Sequence, residues 1–257
     1  MQILLLIFMI FYLFMIGATF ASFFNVVGIR TADKVSINRR SHCPKCDNTL
    51  RWIDICPIFG WLINRGRCHF CKEPIHIKYL LIEIFGGLTF VLSFLVCGYL
   101  RVDFQFDLSY QKIIRLVMYL LIVSLMMMIV VSEYEHHVTL KIITFVFAPV
   151  LLILSVFTGK DMFLSSMLGM GVMLLLNIVL MLFKRELLKY LLYSASLGIV
   201  LEFFGTILAI LLGFLLYLIV KLCKKNIRYV YFISIGSVIS LFTNPYLYEL
   251  IKKIFKG

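Results

Sequence analysis

The stretch that decides the fold is the first one: Met1-Gln-Ile-Leu-Leu-Leu-Ile-Phe-Met-Ile-Phe-Tyr-Leu-Phe-Met-Ile-Gly17-Ala-Thr-Phe-Ala-Ser-Phe-Phe-Asn-Val-Val27. No charged side chain occurs before Arg30. About 20 such residues suffice to cross the hydrocarbon core of a bilayer. A secretory signal would show a basic start and a cleavage site flanked by small residues; neither stands out, so the stretch reads as a retained span. The rest of the chain agrees. Of 257 residues, 62% are hydrophobic and only 15% charged, and the mean hydropathy is +1.02. No soluble globule of this length has an interior large enough to hide that surface, and a disordered chain would be polar. The fold class is therefore an all-α polytopic membrane protein.

A polar segment, 28–78, follows the first span. Further apolar runs cover about 79–100, 113–131, 142–158, 163–183 and 229–247, and the stretch 190–222 is too long for one ordinary span. Glu202 and Gly205 lie near its middle, so it is divided there into two shorter helices, for about eight transmembrane helices. Basic residues set orientation. Segment 28–78 carries ten Lys and Arg against four Asp and Glu, a net +6, which places it in the cytoplasm. Alternation then puts 101–112 and 159–162 outside, and 132–141 and 184–189 inside. Dividing 190–222 also brings Lys221, Lys224, Lys225 and Arg228 inside. The tail, with Lys252, Lys253 and Lys256, ends outside against the charge rule and reads as an interfacial amphipathic piece. The formal net charge of +12 is thus a topology signal, and nucleic acid is not an expected partner. Two regions are expected: an N-terminal one over 1–112 that includes the polar module, and a C-terminal multi-helix one over 113–257.

Four of the seven cysteines form Cys43-Pro-Lys-Cys46 and Cys68-His-Phe-Cys71, a C-x2-C-x21-C-x2-C pattern. Each pair brings two thiolates to one side of a tight turn, and two turns complete a tetrahedron. Zinc is the usual occupant, with iron the chemical runner-up. Four protein ligands leave no open position, so the site is structural, and metal binding supplies most of the folding energy of so short a segment. Such thiols belong to a reducing compartment. Cys56, Cys97 and Cys223 read as apolar fillers.

The text around this module resembles the type IV prepilin leader peptidases, bacterial inner-membrane aspartic endopeptidases. The resemblance is carried by Gly17-Ala-Thr-Phe-Ala-Ser-Phe-Phe-Asn25-Val-Val-Gly-Ile-Arg30, Arg40-Ser-His-Cys43-Pro-Lys-Cys46, Trp52-Ile-Asp54 and Pro57-Ile-Phe-Gly-Trp61. It continues through Arg65-Gly-Arg-Cys68-His-Phe-Cys71, Pro74-Ile75 and Tyr79-Leu-Leu-Ile-Glu83, covering about residues 14–90. It implies cleavage of the basic leader of prepilins or pseudopilins at the cytoplasmic face of the inner membrane. It also implies, for many members, N-methylation with S-adenosylmethionine. Two aspartates perform the cleavage in that family, one activating water and the other polarising the carbonyl.

That pair is missing. The six aspartates are 33, 47, 54, 103, 107 and 161, none expected at the cytoplasmic edge of the later spans. Where the family has Asp-x-Glu-His-His, this chain has Glu133-Tyr134-Glu135-His136-His137. Gly169-Met-Gly171 resembles the start of the family's Gly-x-Gly-Asp, but Val172 follows and the stretch is apolar. By order along the chain the counterpart falls near Lys184-Arg-Glu186-Leu-Leu-Lys189. Glu133 and Glu186 therefore form the one carboxylate pair that can be built at the expected face. A catalytic group misplaced by 1 Å can cost on the order of a hundredfold in rate. The preferred reading of the two glutamates is that both are solvated at helix ends beside Lys184, Arg185 or Lys189; the function expected from the resemblance is a prepilin leader peptidase-like protein, and the alternative is a proteolytically inactive prepilin-binding or scaffold relative. Glu133 with His136 or His137 is a weaker metal-binding alternative, since i, i+3 and i, i+4 share a helix face. Glu83 is expected either to serve methyl transfer or to brace the metal module. No glycine-rich nucleotide loop is visible, so S-adenosylmethionine rests on the resemblance.

Overall fold

The computed structural model describes residues 2–97, 109–136, 141–183, 190–222 and 229–256. Its elements are α1 (Gln2–Ala32), α2 (Phe59–Ile63), α3 (Lys78–Val96), α4 (Tyr110–His136), α5 (Lys141–Val156), α6 (Lys160–Phe183), α7 (Leu191–Leu222) and α8 (Tyr229–Lys256). α1, α3, α4, α6 and α7 are long and apolar enough to cross a membrane, and shorter apolar helices run over Ile143–Val156 and Val230–Thr243.

α7 is two helices. Glu202 has φ 59° and ψ −175°, a region that only glycine occupies comfortably. Three contacts with α8 show the chain doubling back. A Cβ on Gly213 would meet the Phe232 carbonyl, and one on Gly236 would meet that of Ala209. Between those levels, the Tyr193 hydroxyl lies 2.6 Å from Ser234 Oγ. Tyr193 and Ala209 thus flank the same stretch of α8, whereas a straight helix would hold them about 24 Å apart. The division at Glu202 is observed, and it brings the apolar helical segments among the described residues to eight, five of the undivided helices being long enough to cross a membrane. The turn faces the end of the bundle away from the cysteine module, since Arg115 near the start of α4 lies 3.8 Å from Glu202.

Helices without a solvent-driven hydrophobic term pack through small residues. α1 meets α3 at Gly17, Ala18 and Ala21 against Gly86 and Gly87; a Cβ on Gly86 would sit 2.2 Å from that of Ala21. α6 meets α7 at Gly169 and Gly198, where a Cβ on either would come within 2.5 Å of the other's carbonyl oxygen. Gly169 is therefore a packing glycine in a helix crossing.

Two boundaries differ from expectation. α1 continues past Val27 to Ala32, its last turn carrying Arg30, whose guanidinium donates to the Ile37 carbonyl at 2.7 Å and to that of Arg39. The extra turn ties the span to the polar module. α4 continues past Val131 to His136, which places Glu133 inside a helix. Between α3, α4 and α8 lies a cleft of ≈ 580 Å³ with walls such as Leu81, Phe85, Val123, Met127 and Ile235.

Candidate functional site

The module between α1 and α3 is built from two matching knuckles. In the first, Cys43 N–H donates to the Asn48 carbonyl at 3.0 Å and Asp47 N–H to that of Cys43 at 2.9 Å. In the second, Cys68 N–H donates to Glu73 at 2.8 Å and Lys72 N–H to Cys68 at 3.0 Å. Each knuckle turns on a left-handed residue just after its second cysteine, Asp47 (φ 53°) and Lys72 (φ 59°). Isolated bridges His42–Thr49 and Arg67–Pro74 close them.

The four Sγ atoms of Cys43, Cys46, Cys68 and Cys71 all lie within 4.8 Å of one another, and Cys43 and Cys71 approach to 3.9 Å. A tetrahedron with metal–sulfur bonds of about 2.3 Å has edges near 3.8 Å, so the residues fit zinc. The electrostatics agree. The Glu73 backbone favours the Cys71 thiolate, but desolvation and the neighbouring thiols of Cys46, Cys68 and Cys43 outweigh it and push the group up to about 12. Four thiolates share this space comfortably only around a cation.

Asp54 organises the segment between the knuckles. Its carboxylate accepts from Arg51 Nε and Nη2, both at 2.9 Å, from Arg51 N–H at 3.0 Å and from Asn64 Nδ2 at 3.0 Å. The Arg51 guanidinium holds the Asp54 carboxyl well below the usual carboxylate range, against the desolvation that opposes it. Asp54 is thus structural.

Glu83 is the brace. Its carboxylate, in the second turn of α3, accepts the Ile58 N–H at 2.6 Å. Ile58 has φ 65°, a backbone that needs such a fixed acceptor. One carboxylate thereby joins the span that follows to the module. The resemblance supplied Glu83; its partner, a backbone amide 25 residues upstream, left no mark in the sequence.

Glu133 overturns one expectation. It is fully buried, as is Ser132 beside it, so it is not a solvated helix-end residue. α4 runs on past Val131 for more than another turn, so that Glu133 lies within the helix and not at its end. It lies at the module's end of the bundle, because Lys78 at the start of α3 stands over the rings of Tyr79 and Tyr134 at 5.2 and 5.9 Å. Glu186 and His137 lie outside the described residues, as do Asp103, Asp107 and Cys223. Cys97 is buried in the apolar core, as expected. One buried polar group was quoted only as part of the motif: Asn25, whose side-chain oxygen has no hydrogen-bond partner among the described residues.

The fold and site define a multi-pass helical membrane protein carrying a four-thiol module between its first two spans. Residues 15–97 match the Bacterial Peptidase A24 N-terminal domain. The chain is 40% identical over 80 residues to a prepilin leader peptidase/N-methyltransferase of Myxococcus xanthus, covering 31% of this chain and 24% of that protein. It is 38% identical over 96 residues to one of Klebsiella pneumoniae, covering 35% of this chain and 40% of that protein. To the type 4 prepilin-like proteins leader peptide-processing enzyme of Escherichia coli it is 44% identical over 57 residues, 22% of this chain and 21% of that protein. These matches support the type IV prepilin peptidase family, through the N-terminal third of the chain. They span between a fifth and two fifths of the relatives' own lengths. No solved structure matches.

Proposed function

We propose that this chain acts on the leader segments of prepilins or pseudopilins at the cytoplasmic face of a bacterial inner membrane, with the module on that face. Glu133 is the carboxylate at the centre of the reading. The observation that carries it is the burial of Glu133 at the module's end of α4, where the family resemblance would put the first of its two aspartates. A carboxylate removed from water in that position is suited to take a proton from a water molecule as that water attacks a peptide carbonyl. Glu186 is its partner in the proposal, by order along the chain. Zinc, held by Cys43, Cys46, Cys68 and Cys71, would fix the fold of the module and take no part in cleavage. The regions 1–112 and 113–257 then divide the work into anchoring and chemistry.

A second reading has its own support. Of the aspartates described, Asp33, Asp47 and Asp54 belong to the module, and Asp161 opens α6 at the far end of the bundle. No described aspartate stands beside Glu133 to make the relatives' pair. A prepilin-binding or scaffold protein without proteolysis follows if Glu133 works alone. Methyl transfer is supported by the relatives' names; the cleft between α3, α4 and α8, walled almost wholly by apolar side chains, is not proposed as the place for a charged sulfonium nucleoside.

The test is cleavage of a prepilin leader peptide by the purified chain in lipid, beside a protein-free control. Cleavage abolished by Glu133→Gln supports the peptidase. A folded, zinc-containing sample that never cleaves but retains the peptide supports the binding protein.

A further inference from the structure

The module carries more exposed apolar surface than a small water-facing domain tolerates. Trp52 is 80% exposed, and Ile53, Phe59, Leu62 and Ile63 are exposed beside it in sequence. These side chains do not hang from a loose loop. Their backbone is held by Asp54 through Arg51 and Asn64, and Gly60 is packed so closely on the Asp54 carbonyl that a Cβ there would lie 2.4 Å from its oxygen. Patches of this kind in soluble proteins mark a surface that something covers.

Two observations identify the cover. The first is position. Ile58, in the middle of the segment, is bonded to Glu83, and Glu83 lies five residues into the span that begins at Lys78. At 1.5 Å per residue that is about 7.5 Å below the start of the helix, so the segment sits at the level where α3 enters the bilayer. The second is charge. Arg65, Arg67 and Lys72 are exposed on the same module, within a segment of net +6. Tryptophan with aliphatic neighbours and a basic rim is the composition that settles among headgroups, and a basic rim favours anionic lipids.

We propose that Trp52, Ile53, Phe59, Leu62 and Ile63 form an interfacial anchor, seated in the headgroup layer of an anionic bilayer, that lays the metal module flat on the membrane. The anchor is separate from Glu133 and stands whether or not the chain cleaves prepilins.

Trp52 and Trp61 are the two tryptophans of the chain, so the difference between wild type and Trp52→Phe isolates Trp52. The full chain is reconstituted into phosphatidylglycerol-containing vesicles whose acyl chains carry bromine either near the headgroup or deep in the core. The expected result is blue-shifted Trp52 emission and stronger quenching by the shallow bromines than by the deep ones. Phosphatidylcholine vesicles should quench less, and Arg65→Glu with Arg67→Glu should remove that difference. Leu62→Trp in the Trp52→Phe background reports independently and should be quenched likewise. Water-like emission from both probes, with no quenching, overturns the proposal and leaves the patch to a protein partner. Equal quenching in both lipids overturns the role of the basic rim.

Discussion

Removing the metal should unfold the module and leave the helical bundle standing. Between Asp33 and Ile77 the buried residues are Cys43, Gly60, Gly66 and Cys68: two ligands and two glycines. No hydrophobic core exists there to hold the fold without the ion. The remaining ties are few. The Asp54 pairing and the Glu83–Ile58 bond are each worth about 1.5–3 kcal/mol as hydrogen bonds to a charged group, and the Trp61–Ile75 bond about 1 kcal/mol. A structural zinc contributes on the order of 10 kcal/mol at neutral pH, more than those ties combined. Chelation, or Cys68→Ser, should therefore release one zinc per chain and open the segment to trypsin, which has ten lysines and arginines to cut between residues 28 and 78. The spans should keep their helical circular dichroism. The assay is limited proteolysis in detergent with zinc release followed by a colorimetric chelator. A module that stays protected after all its zinc has gone would refute the reasoning, because some other interaction would then be holding it.

Glu83→Ala leaves the Ile58 N–H without its acceptor and should destabilise the module by about 1.5–3 kcal/mol, read as faster zinc loss; Glu83→Gln, which keeps an acceptor, should lose less. Gly198→Ala drives a Cβ to 2.5 Å from the Gly169 carbonyl and 2.7 Å from Met170 Cα, so α6 and α7 must part at a cost of about 1–3 kcal/mol. Gly171→Ala, with nothing within 4 Å, is the control and should leave the melting temperature in place. Because the Asp54 carboxyl is depressed in the folded protein, its stabilisation is complete above the unfolded value of about 3.9 and is lost as pH falls through the folded value. The margin of wild type over Asp54→Asn in chemical unfolding should accordingly be undiminished at neutral pH and vanish only in strong acid. A margin that has already vanished near neutrality would show that Arg51 does not hold the charged form.

Much of this architecture is legible in the sequence because lipid imposes strict conditions. The absence of charge before Arg30, the cysteine spacing and the interruption of 190–222 by Glu202 and Gly205 each admit few structures, and each is seen. The glycine contacts were not legible: Gly169, Gly171 and Gly198 look alike in the chain, yet two form a helix crossing and the third faces open space. The burial of Glu133 was hidden for a related reason. Hydropathy ends its span at Val131, since the next six residues are polar or charged apart from Tyr134. Burial there depends on which helices pack around the last turn, and only the tertiary arrangement decides that.

The placement of the carboxylates narrows the chemistry open to the chain. Asp54 is committed to Arg51 and Asn64, and Asp47 lies within 3.4 Å of Arg39. Glu83 holds Ile58, and Glu202 faces Arg115 at the opposite end of the bundle. Each already serves the fold, and each lies in the module, beside it, or across the membrane from it. Glu133 differs in being an acid wholly removed from water at the module's end of a span, where an ionisable group is costly to keep. The peptidase reading therefore rests on Glu133, and the Glu133→Gln variant is the decisive comparison for it.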